Sequence, residues 1–206
     1  MAYGVISMKF KRDRASSRYG PESLNVAPHK PFLMLAILQE IEEGRITSPI
    51  IEPTEELEIS FWDHSNCLDI GRKRDMWLPF FHMASESFGW SLLRHDGRDP
   101  SDDGQPKSTT KLRGTYLGAR LSDEMWKLAS EHASRQRLID EILEDNFHPN
   151  VHQKIKDMER VAILSNQYAE EILGAMPIQS GTKEKPVRTA GFRKAVQRDL
   201  AQALAE

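Results

Sequence analysis

A chain of 206 residues has room for one large domain or a domain with an appendage, and its 39 % apolar content, with eight Phe and four Trp, can fill a core. A net charge of −3 weighs against indiscriminate nucleic-acid binding, and the lone Cys67 excludes a disulfide framework and a Cys-based zinc site. No run approaches the roughly 20 apolar residues of a membrane span, and the first residues lack the pattern of a signal peptide, so a reducing cytoplasm is the expected location.

Charge is unevenly spread. Residues 1–20 carry Lys9, Lys11, Arg12, Arg14 and Arg18 against Asp13, a local +4, whereas residues 40–58 carry seven glutamates against Arg45. Such polarity can present a basic face on a soluble protein, although a solvated basic tail explains it equally well.

In chain order, residues 1–28 show no clear period and are expected to form an irregular arm with at most a short strand. Pro31 suits the first turn of a helix, where its missing N–H costs nothing. Phe32, Leu33, Leu35, Ala36, Ile37, Leu38 and Ile41 then make a helix apolar on most sides, hence central, with Gly44 ending it. Pro49 and Pro53 break the next stretch. Thr54 is placed to cap a helix running to about Cys67, with Glu55 and Glu56 in its favourable first turn. Gly71 to Asp75 is a basic loop, and Pro79 opens a short helix to about Ser85. Phe88–Leu93 predicts a strand, residues 97–107 a polar loop, and residues 108–120 a strand or extended edge. Ser122 is placed to cap a helix, Arg135 to Phe147 forms another, and Pro149 opens a long one to about Met176. Residues 1–176 are thus one domain, 177–186 a linker and 187–206 a terminal helix. The fold class expected is α+β, mainly helical, with a few short strands supporting a binding edge.

Catalytic patterns are scarce. The chain lacks a phosphate-binding glycine loop, a nucleophile elbow and a His-Glu-x-x-His helix. His148 and His152 are four apart with Pro149 between them and no third ligand nearby. His82 and Glu86 can share a helix face, where a structural hydrogen bond is the commoner outcome. Asp123, Glu124 and Lys127 loosely evoke a nuclease cluster, but the helix dipole explains the two acids. No catalytic residue, metal site or cofactor is expected.

Two stretches stand out. Ala27-Pro28-His29-Lys30-Pro31-Phe32-Leu33-Met34-Leu35 sets two polar donors at a helix start, and Leu78-Pro79-Phe80-Phe81-His82-Met83 is followed closely by Gly89-Trp90. Taken with Leu112-Arg113 and Leu121-Ser122-Asp123-Glu124-Met125-Trp126, this ordered set resembles the sulfur-binding domain of HNH-type modification-dependent restriction endonucleases, which recognises phosphorothioate-modified DNA. The resemblance covers about residues 25–150.

What it implies is a binding function on double-stranded DNA carrying phosphorothioate linkages. Pro79 would form an apolar cup for sulfur, with Leu78 where the family often has Tyr, and with His82 one turn along. His29 and Lys30 match the family's polar pair. Its upstream arginine has Glu22 in the matching place here, leaving Arg18 or Arg14 to serve. Lys107, Lys111 and Arg113 are the candidates for a further basic contact after the Gly-Trp strand, with Ser108 as a candidate phosphate donor, and Arg72 and Arg74 of the basic loop join the candidate DNA-binding residues on their charge. Residues 187–196 are similar to the segment that opens the HNH nuclease, so the resemblance implies either the recognition half of a restriction endonuclease or a stand-alone reader, with no catalysis by this chain alone. The alternatives are a metal-dependent nuclease without HNH motifs and a helical protein-interaction module contacting its partner through residues 40–58.

Overall fold

The computed structural model describes residues 8–11, 19–68, 75–95 and 104–175. The chain divides into two compact units, Met1–Gln153 and Lys154–Glu206. The predicted linker and terminal helix lie outside the described residues.

The first unit is mainly helical with a small sheet. Its centre is α1 (His29–Glu42), in which every residue from Pro31 to Ile41 is buried. A helix apolar on all sides has no solvent face to offer and must be wrapped by other elements. Past its end, Gly44 adopts φ +72°. Two buried carboxylates mark the same region. Glu40 takes a two-pronged ion pair from Arg45, with Nε–Oε2 and Nη2–Oε1 both 2.6 Å, and also accepts the Ser60 hydroxyl of α2 (Glu55–Cys67). Burial opposes the Arg45 charge, but Glu40 and Glu43 outweigh it and hold the guanidinium above its ordinary range. Thr54 caps α2 as expected, its Oγ1 accepting from Leu57 N at 3.2 Å.

Three antiparallel strands follow the order β1-β3-β2: β1 (Ile50–Ile51), β2 (Trp90–Arg94) and β3 (Tyr116–Leu121). In β2 the residues Trp90, Leu92 and Arg94 are buried, in the two-residue alternation of a half-covered sheet. Trp90 faces Leu121 and Leu92 faces Ala119, and the register slips between Leu93 and Arg94, leaving Leu117 as the extra residue of a bulge, 43 % exposed. Gly118 lies where β1 crosses: a Cβ there would sit 2.4 Å from Ile51 O.

The expectation of an extended segment over 108–120 is corrected. Residues Thr109–Thr115 form a helix, α4, and only then does the chain extend into β3, which is central in the sheet. Ser108 starts that helix, its hydroxyl accepting from Lys111 N at 3.2 Å. Ser122 likewise caps α5 (Asp123–Ser130), and Glu131 caps α6 (His132–Asn146) by accepting from Ala133 N and Ser134 N. Arg135 ties α6 to α1 through Glu42. The long α7 (Pro149–Ala175) starts at Pro149 as expected. The arm is fixed where it is described: Met8 and Phe10 are buried, and Asn146 Nδ2 donates to Met8 O at 3.1 Å.

Candidate functional site

The site is built on α3 (Trp77–His82), a helix of six residues that continues into a 3-10 turn at Met83–Ser85. Such a short helix is held by its neighbours rather than by its own hydrogen bonds. Trp90 supplies the main clamp: its Nε1 donates to Phe80 O at 3.1 Å, and the two rings meet edge to face at 5.0 Å. Phe80 is fully buried, and Phe81 leans on Tyr116 of β3 at 6.2 Å. Pro79 occupies the first turn of α3, the position where a missing N–H leaves no intrahelical bond unmade.

The space between α1 and α3 is a cleft of about 610 Å³. Pro79, Leu78, His82 and Trp77 line it from α3, and His29 and Lys30 from the start of α1, with Ala27 just before them. Lys11 of the arm, Ser85 and Gln105 close the remaining sides. Sequence reasoning placed five of these residues in one site: Pro79, Leu78, His82, His29 and Lys30. Trp77, Lys11 and Gln105 it missed. Pro79 is a buried ring in the wall, Leu78 and Trp77 are half-buried, and His82 is exposed at the rim. His29 is 6 % exposed and meets the Tyr19 ring edge to face at 5.8 Å. Trp77 Nε1 reaches Asp75 Oδ2 at 3.4 Å.

The cleft's charge is less simple than its composition. An ammonium has three donors, and those of Lys30 go to Lys11 O at 3.0 Å, Ser85 Oγ at 3.3 Å and the carboxylate of Glu86. Glu86 is itself buried, and its second oxygen accepts from Lys11 N at 3.0 Å. The pair Lys30–Glu86 is therefore locally neutral and clamps the arm onto α1. Lys11 sends its own ammonium to Ser85 O at 2.6 Å and is exposed, which leaves it two donors for other partners. Glu86 carried no expectation of this role, since its partner lies 56 residues away.

The remaining predicted contacts are placed elsewhere. Lys107 and Lys111 are exposed, and Lys107 lies two residues from the cleft-lining Gln105. Arg113 does not line the cleft. Its Nε donates to Pro53 O at 2.5 Å, and its Nη2 to Thr54 O at 3.0 Å and Glu58 Oε2 at 2.9 Å, fastening α4 to the start of α2. A shallower hollow of about 330 Å³ lies there, bordered by Glu52, Glu55, His95 and Arg113. Arg14, Arg18, Arg72 and Arg74 lie outside the described residues. The histidine pair has local roles: His148 Nδ1 lies 2.8 Å from Asn150 Oδ1, and His152 Nε2 lies 3.0 Å from Phe147 O. Asp123 pairs with Arg120 at 2.9 Å on the surface. Among the described residues, no three His, Cys, Asp or Glu side chains are gathered as a metal ion would require, and no helix is long and apolar enough to cross a membrane.

Comparison of the chain with protein-family models and with curated proteins returns no match in either.

Proposed function

We propose that this chain binds double-stranded DNA carrying phosphorothioate linkages, the sulfur lying against Pro79 and Leu78 and the neighbouring backbone held by cations at the cleft rim. On this reading it is the targeting part of a restriction system, and it does not cut. The observation that carries the reading is the meeting, in one cleft, of an apolar wall from α3 with the His29–Lys30 start of α1 and the arm's Lys11.

The chemistry follows from what sulfur changes. A phosphorothioate keeps the backbone charge but replaces one oxygen by a larger, less hydrated atom. Pressing a phosphate oxygen against carbon strips water and returns no hydrogen bond, a penalty on the order of 1–3 kcal/mol. Sulfur loses less water there and gains dispersion from close carbon contact. The apolar wall thus provides discrimination, whereas the rim cation Lys11, together with the exposed Lys107 and Lys111 beyond it, attracts either backbone and weakens with salt.

Fluorescence anisotropy with two duplexes of one sequence, one carrying the sulfur and one plain, tests the proposal directly. Tighter binding of the sulfur-bearing duplex is expected at every salt concentration. Equal affinities would refute it. Cleavage of plain plasmid with magnesium or manganese would replace it by the nuclease reading.

A further inference from the structure

We infer that Glu86 is a specificity-determining residue: it withholds the Lys30 ammonium from a bound backbone and leaves Lys11 as the cation that serves the cleft. The inference rests on the reading above and adds a second source of discrimination to the apolar wall.

The geometry is unusual for an anion site. A cation meant to grip phosphate keeps donors available, yet all three of Lys30 are committed, one of them to a carboxylate whose side chain is 3 % exposed. Placing a buried carboxylate beside an incoming anion repels it unless the carboxylate stays paired, so Glu86 holds Lys30 more firmly when an anion approaches than before. The two backbones feel this differently. A phosphate oxygen is a strong acceptor and gains most from a bare ammonium, whereas sulfur is a weak acceptor and gains little. Withholding Lys30 therefore costs plain DNA more than thio-substituted DNA. Lys11 compensates for attachment from the rim, with its ammonium anchored to Ser85 O by a single hydrogen bond.

The test is Glu86→Gln, which keeps an oxygen to accept from Lys11 N and releases the ammonium. One added phosphate contact tightens plain duplex by about eightfold at about 0.1 M salt and steepens the salt slope by about 0.9. The thio duplex should gain less, so the preference ratio falls. A purely structural role for Glu86 predicts the opposite sign, weaker binding of both. Three controls complete the set. Glu124→Gln removes the same charge on α5 and should leave affinity within about twofold, and in a Lys30→Gln background the Glu86→Gln gain should vanish. Lys11→Gln should weaken both duplexes more than Lys30→Gln does, a comparison that stands even where Glu86→Gln fails to fold. An unchanged preference ratio, a gain that survives without Lys30, or a loss at Lys30 equal to that at Lys11 would overturn the inference and leave the proposed function intact. A wild-type protein with no preference for sulfur would overturn both.

Discussion

Replacing Pro79 by alanine separates the apolar wall from the cations around it. The substitution deletes two ring carbons, Cγ and Cδ, from a buried wall of the cleft. At about 0.8 kcal/mol per methylene, the lost contact with sulfur amounts to about 1.6 kcal/mol, or about fifteenfold in affinity. Plain DNA gains little from that wall and should lose less than about threefold on the same counting. The fold should tolerate the change. Position 79 lies in the first turn of α3, where the new N–H has no intrahelical partner to miss, and the Trp90 bond to Phe80 O is untouched. Greater freedom of the unfolded chain removes about 0.4–1 kcal/mol of stability. Anisotropy titrations of the matched duplexes read the affinities, and thermal denaturation confirms folding. Equal losses for both duplexes, or no loss for the thio duplex in a folded variant, would refute Pro79 as the sulfur contact.

Other predictions concern the scaffold. Burial alone would raise the Glu42 carboxyl, but Arg135, with His132 beside it, outweighs burial and holds it below its ordinary value of 4.5. A lowered carboxyl stabilises the fold above its unfolded value and loses that contribution as pH falls through the folded one. Glu42→Gln should therefore cost about 1–3 kcal/mol at pH 7, a difference that begins to narrow in urea titrations as pH falls below 4.5 and is lost as pH passes through the lowered folded value; a gap constant with pH would contradict this. Gly118→Ala drives a methyl into the Ile51 backbone and should cost about 1–3 kcal/mol by urea midpoint, and an unchanged midpoint would argue against the β1–β3 pairing. Trp90→Phe leaves Phe80 O without its indole donor inside the core, costing about 1–3 kcal/mol and loosening α3. It should weaken the thio duplex alongside stability, and a destabilised variant that binds as well as wild type would show that α3 needs no such clamp.

The elements that could be read from the sequence are those specified by neighbours along the chain. Thr54 and Ser122 each cap a helix by accepting from an N–H three residues on, and that spacing is visible in the sequence. So is α1, whose unbroken apolar run leaves no solvent face. What escaped reading depends on distant partners. The two-residue β1 between Pro49 and Pro53 exists because Ile51 pairs with Ala119, and nothing local to either announces it. At α4 the sequence sends mixed signals, with three threonines and Gly114 in a seven-residue helix, and the N-cap role of the Ser108 hydroxyl goes with that helix. Of the predicted cations, Lys30 reached the cleft and Arg113 did not, because Glu58 and the carbonyls of Pro53 and Thr54 hold its guanidinium elsewhere. A cation's identity is legible in a sequence; the acid that commits it is not.

The two helices that meet at the cleft share a further property. Each carries a proline in its first turn, Pro31 in α1 and Pro79 in α3. An ordinary phosphate site at a helix start works through the exposed N–H groups of that turn, and each proline removes one of them. Lys30, the cation closest to hand, has its donors committed. Two of these features, Pro79 and the committed Lys30, subtract hard hydrogen-bond donors from the cleft itself, while Leu78, Pro79 and Trp77 add carbon to it. A hydrated oxyanion loses most by entering such a cleft. An anion with a soft, weakly hydrated atom on one side loses least, provided a charge such as that of Lys11 waits at the rim. That balance is why sulfur in a DNA backbone is a better candidate for this cleft than phosphate itself.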